Sequence, residues 1–221
     1  MPAEHGVSGD FFVIAPGPNG STVIAVGDVA GRGLQAAKTS WYVRTLLASS
    51  AEVGTDPATL LERANHAFIE EMGFEAPFVT AACLRFSPGR KLEWALAGHD
   101  DPVVLDQGEP LRGDGATGLP LGISDRLGCA TSTVELNPGG GVLLYTDGLT
   151  EARSANGDPR LDLFGERRVA EVVSRLEGEP SAEIVTRLRD EVKSFSGGRL
   201  ADDLCLIALR ASDESDTTEV C

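Results

Sequence analysis

The chain has 221 residues, room for one large domain or two small ones, and its 42% hydrophobic content excludes a disordered chain. Thirty-four acidic against 19 basic side chains leave a net charge of −15, which excludes the basic footprint of a nucleic-acid binder and disfavours docking on anionic lipid. The same surplus suits hard cations held by carboxylates.

In chain order, "GDFFVIAP" (9–16) reads as a strand, "GPNG" (17–20) as a turn and "STVIAVGDV" (21–29) as the second strand of a hairpin. Residues 33–51 read as a helix, with Leu34, Ala37, Trp41, Thr45 and Ala48 recurring at helical spacing and Trp41 assigned to the core. Residues 56–72 read as a second helix, with Asp56 as N-cap and Pro57 in its first turn. Strands follow at 77–87 and 90–98, the latter with Trp94 in the core, and at 102–106. A Gly/Pro-punctuated loop spans 115–123, and a hairpin is expected from 129–136 and 142–146. Two helices around 166–176 and 181–195 precede a last strand at 203–210. Helices thus fall in two blocks between runs of strands, which argues against a parallel doubly wound sheet. The expected architecture is α+β: a four-layer α-β-β-α sandwich of two mainly antiparallel sheets with helix pairs outside. It is expected as a single domain over 1–210, followed by an acidic, frayed tail at 211–221.

Cys83, Cys129, Cys205 and Cys221 form no CxxC pair, and no apolar run approaches the length of a membrane span. With no charged-then-apolar leader, the expected setting is a reducing cytoplasm.

Four acidic spots sit where an apolar strand meets a loop: Asp10 before "FFVIA", Asp28 after "VIAVG", Asp147 after "VLLYT", and Asp202–Asp203 before "LCLIALR". Each has an ordinary reading: Asp147 as a turn former, Asp10 as an edge charge, Asp28 as a cap for the helix near Gly33, and Asp202–Asp203 as a solvated pair. If the strand ends share one rim, however, the like charges repel and divalent cations relieve the repulsion. The donors are all oxygen, and His5, His66 and His99 lack metal-ligand spacing, so Mg²⁺ or Mn²⁺ is favoured over zinc. Two such ions roughly 4 Å apart lower the pKa of a shared water and clamp phosphoryl oxygens, the chemistry of phosphate-ester hydrolysis. In "GDVAGRGLQAA" (27–37), Gly31 and Gly33 allow a tight turn after Asp28, letting the Val29 carbonyl face a metal, while Arg32 reads equally as a partner for a substrate phosphate or as a solvated loop cation. The Lys of a Walker A loop is missing. His99, in "LAGHDDP", reads as a structural turn residue, with general-acid catalysis as the alternative.

These motifs together resemble the metal-dependent protein phosphatases (PPM, type 2C-like), in their bacterial SpoIIE/RsbU-like branch. "SGDFF", "VGDVAGRGLQAA", "FVTAACLRF", "LAGHDDPVVL", "GLPLGI", "GGGVLLYTDGLTEAR", "LFG" and "DDLCLIAL" stand in family order over nearly the whole chain. The resemblance implies hydrolysis of phosphoserine and phosphothreonine in proteins with two Mn²⁺ or Mg²⁺ ions. It implies that Asp28 bridges the metals, Val29 offers its carbonyl, Asp147 and Asp202 complete the sites, Asp10 acts directly or through water, and Asp203 binds or orients a water. Asp28, Asp147 and Asp202 would be the catalytic set. The substrate typical of the branch is a phosphorylated STAS-type anti-anti-sigma factor.

Departures accompany the resemblance. Many relatives carry a further Asp in "GGDFYD" where this chain has Val13, which would weaken an outer metal site. The first motif stands almost at the chain start, where relatives usually have another strand and often a sensory domain. The chain is then either a trimmed piece or a minimal phosphatase, and a bare sheet edge would favour a homodimer. Two other functions compete: a catalytically weak or inactive regulator that captures a STAS partner, and a phosphatase for small phosphorylated metabolites.

Overall fold

The computed structural model describes residues 8–51, 56–157, 162–211 and 218–220. The strands are β1 (Phe11–Pro16), β2 (Thr22–Val29), β3 (Val79–Ser87), β4 (Lys91–Ala97), β5 (Val103–Val104), β6 (Thr117–Gly118), β7 (Ser132–Glu135), β8 (Gly141–Tyr145), β9 (Leu206–Ala211) and β10 (Thr218–Val220). The helices are α1 (Leu34–Ser50), α2 (Pro57–Met72), α3 (Gly165–Arg175) and α4 (Ser181–Phe195). They form two compact units. The first comprises the described residues up to 87 with 91–99 and 113–134, and the second comprises 88–90, 100–112 and those from 135 onward.

In the first unit the sheet order is β1-β2-β3-β4-β6, with β7 also pairing β4. The β1–β4 ladders are antiparallel, and β6 runs parallel to β4 through Leu96↔Thr117 and Ala97↔Gly118. The loop expected at 115–123 therefore contributes a short strand. Strand alternation sends Phe11, Val13, Val23, Ala25, Ala81, Cys83 and Ala95 into one core with α1 and α2. Ile24, Val26, Leu84 and Leu96, on the opposite face, are also fully buried. The expected N-cap holds: Asp56 accepts the Thr59 N–H at 3.2 Å, with Pro57 in the first turn. The Thr131 hydroxyl also donates to Asp56. Partial burial pushes the Asp56 carboxyl upward, but the bonds from Thr131 and Thr59 outweigh it and hold it below the usual range.

The face expected to bury on α1 is the wrong one. The buried residues are Ala36, Thr39, Ser40, Val43 and Leu47, whereas Leu34 and Trp41 are 66% and 65% exposed. Small side chains let the helix lie close to the sheet, so the stripe carrying the largest apolar residues faces outward. Trp94, by contrast, is in the core as expected.

In the second unit the order is β10-β9-β8-β5, all antiparallel, with Val103, Leu105, Leu143, Tyr145 and Ala208 packed against Val169, Val172, Ile184, Leu188 and Val192 of α3 and α4. Three expectations change here. The stretches 129–136 and 142–146 do not form a hairpin: β7 pairs β4 of the first sheet, while β8 pairs β5 and β9 of the second. "NPGGG" between them is long enough to change sheets. The last strand begins at Leu206 rather than Asp203. The expected frayed tail is only partly within the described residues. There Ala211 closes β9 and Thr218–Val220 pairs with it as β10, the edge strand of the sheet.

Among the described residues no disulfide is present: Cys83, Cys129 and Cys205 are all outside disulfides, and Cys221 lies outside the described residues. No described helix is long and apolar enough to cross a membrane.

Candidate functional site

In the first unit β2 carries Asp28 and Val29 to the end of the sheet, opposite Thr80 and Val79 of β3. The chain then turns through Gly31 and Gly33, whose φ angles of 105° and 83° belong to the left-handed region that glycine adopts without strain. α1 starts at Leu34, and its N-cap position is Gly33, which brings no side-chain cap. Gly9 explains what Asp28 faces. A Cβ on Gly9 would stand 2.9 Å from Asp28 Oδ1 and 3.0 Å from the Val29 carbonyl oxygen. A carboxylate and a carbonyl thus point at one small space that only glycine leaves open. Asp10 follows directly, its N–H donating to Ser8 Oγ at 3.0 Å and its carbonyl accepting from Ser40 Oγ at 3.4 Å. Arg32 is exposed in the turn after Asp28.

In the second unit Asp147 follows the end of β8, and Asp202–Asp203 precede β9, its neighbour. The Asp147 side chain reaches solvent, yet loss of water around it, then the charges of Glu151 and Asp202, raise its carboxyl above the ordinary range; the Gly148 N–H opposes this. Asp202 Oδ1 accepts the N–H of Asp203 at 3.0 Å. Asp100, the residue after His99, belongs to this electrostatic group. Burial, then Glu166, Asp147 and Asp101, raise its carboxyl, against a hydrogen bond from Thr150. Carboxylates held near one another with raised proton affinity match a divalent cation, which replaces the proton and cancels the repulsion.

The expected donors therefore divide between the units: Asp10, Asp28 and Val29 in the first, Asp147, Asp202 and Asp203 in the second. Among the described residues no three Asp, Glu, His or Cys side chains stand as a ready-made metal-holding group. The donor chemistry still fits a hard cation, because every donor is oxygen and the Gly9 space gathers two of them. Val13, where the family resemblance leads one to expect an acid, is 3% exposed and packs in the core of the first unit. His99 is buried after β4, and His66 is exposed with Nε2 2.9 Å from the Asp125 carbonyl. His5 lies outside the described residues. Sequence reasoning missed Gly9 and Thr146. The only signal was a small or hydroxyl residue next to each acidic motif.

The chain matches the family model for stage II sporulation protein E (SpoIIE) over residues 18–212. It is 28% identical over 213 residues to the phosphoserine phosphatase RsbU of Bacillus subtilis, covering 95% of this chain but only 61% of that protein, so it spans under two thirds of its relative's length. The SiaA-PP2C domain of Pseudomonas aeruginosa shares the fold at TM-score 0.80 and 24% identity, over 93% of this chain and 82% of that one. RsbX in complex with magnesium shares it at TM-score 0.63 and 21% identity, over 93% and 88%. The α+β architecture is thus that of PP2C-type phosphatase domains. With its family model matched over most of its length, the chain belongs to the SpoIIE family.

Proposed function

We propose that this chain is a metal-dependent protein serine/threonine phosphatase, its phosphatase domain extending over residues 1–210 and its substrate a phosphorylated STAS-type anti-anti-sigma factor. The observation that carries the reading is the convergence of Asp28 Oδ1 and the Val29 carbonyl on the space beside Gly9. A strand-end aspartate that merely terminated a turn would have no need of a carbonyl aimed at the same point. The phosphoserine phosphatase activity of the relative RsbU and the magnesium of RsbX point the same way.

Asp28, Val29, Asp147 and Asp202 would hold two Mn²⁺ or Mg²⁺ ions, with Asp10 and Asp203 binding directly or orienting water. When bound, the ions supply an activated water and positive charge for in-line attack at phosphorus. Asp28, Asp147 and Asp202 position that chemistry, and Arg32 donates to the phosphoryl oxygens. The reading includes a cytoplasmic setting and leaves room for a homodimer. The competing reading, an inactive partner-binding regulator, rested on the absence of an acid at position 13. Val13 packs in the core of the first unit, and the regulator reading predicts partner binding with no dephosphorylation under any divalent metal.

The test is release of phosphate from a phosphoserine-bearing STAS protein and from p-nitrophenyl phosphate. Turnover is expected with Mn²⁺ and should be lost in EDTA; full activity in excess EDTA would sink the reading. Faster turnover of phospho-sugars than of the phosphoprotein would redirect it to metabolites.

A further inference from the structure

The β8–β9 ladder ends at the pair Tyr145↔Leu206. One residue further, the strands stay joined in an unusual way. The Thr146 N–H donates to the Cys205 carbonyl at 3.1 Å, as in a regular antiparallel pair. The Thr146 carbonyl accepts the Leu149 N–H at 3.0 Å and closes the turn containing Asp147. The return bond, from the Cys205 N–H, goes to the Thr146 hydroxyl oxygen Oγ1 at 3.0 Å. Thr146 is fully buried. On the other side of Asp147, Gly148 lies flat against the same partner segment: a Cβ there would stand 1.8 Å from the Asp203 carbonyl oxygen. Asp147 is therefore bracketed by Thr146, which bonds to Cys205, and Gly148, which lies close against Asp203.

We propose that Thr146 is a positioning residue whose hydroxyl lets one backbone serve two purposes, freeing its carbonyl to form the Asp147 turn while keeping Asp202 and Asp203 in register with Asp147. The claim rests on the proposed function only in taking Asp147 and Asp202 as metal donors. Valine has the shape of threonine without the hydroxyl, so Thr146→Val removes the oxygen that accepts the Cys205 N–H and loosens the 202–205 segment. Thr146→Ser keeps the bond.

The experiment combines Mn²⁺ titration by calorimetry with amide exchange on the metal-free protein. Thr146→Val is expected to bind Mn²⁺ about 10–100-fold more weakly, the range for groups that orient a metal ligand, and to exchange the Cys205 amide faster. Thr146→Ser should match the wild type in both. Equal Mn²⁺ affinity in Thr146→Val and wild type, or an equal loss in Thr146→Ser, overturns the proposal. If Thr146→Val fails to fold, Thr146→Ala removes the same hydroxyl with less bulk; unchanged Mn²⁺ affinity in that variant also overturns it. If the wild type binds no Mn²⁺, the metal reading falls, and exchange at Cys205 alone decides whether the hydroxyl holds the segment.

Discussion

Asp147→Asn removes a charge while keeping a side chain that suits the same turn. The variant should melt close to the wild type and lose Mn²⁺-dependent turnover of p-nitrophenyl phosphate by more than the about 10–100-fold typical of residues that only orient a ligand. Near-normal turnover would make Asp147 a turn residue and nothing more. Asp56 allows a different single-residue test. Its carboxyl is held low in the folded protein, so its contribution is present above its unfolded value and is lost as pH falls through the folded one. Asp56→Ala should cost about 0.5–2 kcal/mol near neutral pH by urea denaturation. The gap to wild type should narrow as pH falls below about 4. Both aspartates were legible in the sequence, because a charge at the end of an apolar run and an Asp-Pro before a helical pattern are local signals. Gly9 and Thr146 were not, since their roles depend on Asp28, Val29 and Cys205, partners that only the fold brings to them.

At the level of elements, α1 shows where periodicity misleads. Two apolar stripes run along it, and the sequence pattern favours the one with the larger residues. Contact with the sheet selects the other, because Ala36, Thr39, Ser40 and Val43 allow close approach. Leu47→Ala should therefore cost about 2–5 kcal/mol, whereas Trp41→Ala should fall within about 0.5 kcal/mol of wild type in chemical denaturation. The reverse order would restore the expected face. The misread 129–146 hairpin has a related cause. Two strands joined by a glycine-rich turn look alike whether they pair with each other or with separate sheets, and local sequence does not record the partner. Helix positions, the β1–β2 and β3–β4 hairpins and the Asp56 cap were readable because each is decided within a few residues.

For the whole molecule, the proposed donors come from both compact units and from widely separated parts of the chain. Ions that bind the folded chain and not the unfolded one should stabilise it by about 2.7 kcal/mol at a hundred times Kd. Thermal melts are expected to rise with Mn²⁺ and to return to the metal-free value with EDTA. The shift should be absent in Asp28→Asn. A melt insensitive to Mn²⁺ would leave the acidic surplus without this role.

Divergence at Gly9 is all-or-none. A core position such as Leu47 tolerates change by degrees, each lost methylene lowering stability a little further. Beside Asp28 and Val29 the relevant quantity is not how much fills the space but whether anything does, since even one methyl group would meet both oxygens at about van der Waals limits or closer. A library randomised at this codon should yield folded alanine and serine variants whose melts no longer respond to Mn²⁺, with glycine alone retaining the response. At this position the protein is defined by the side chain it does without.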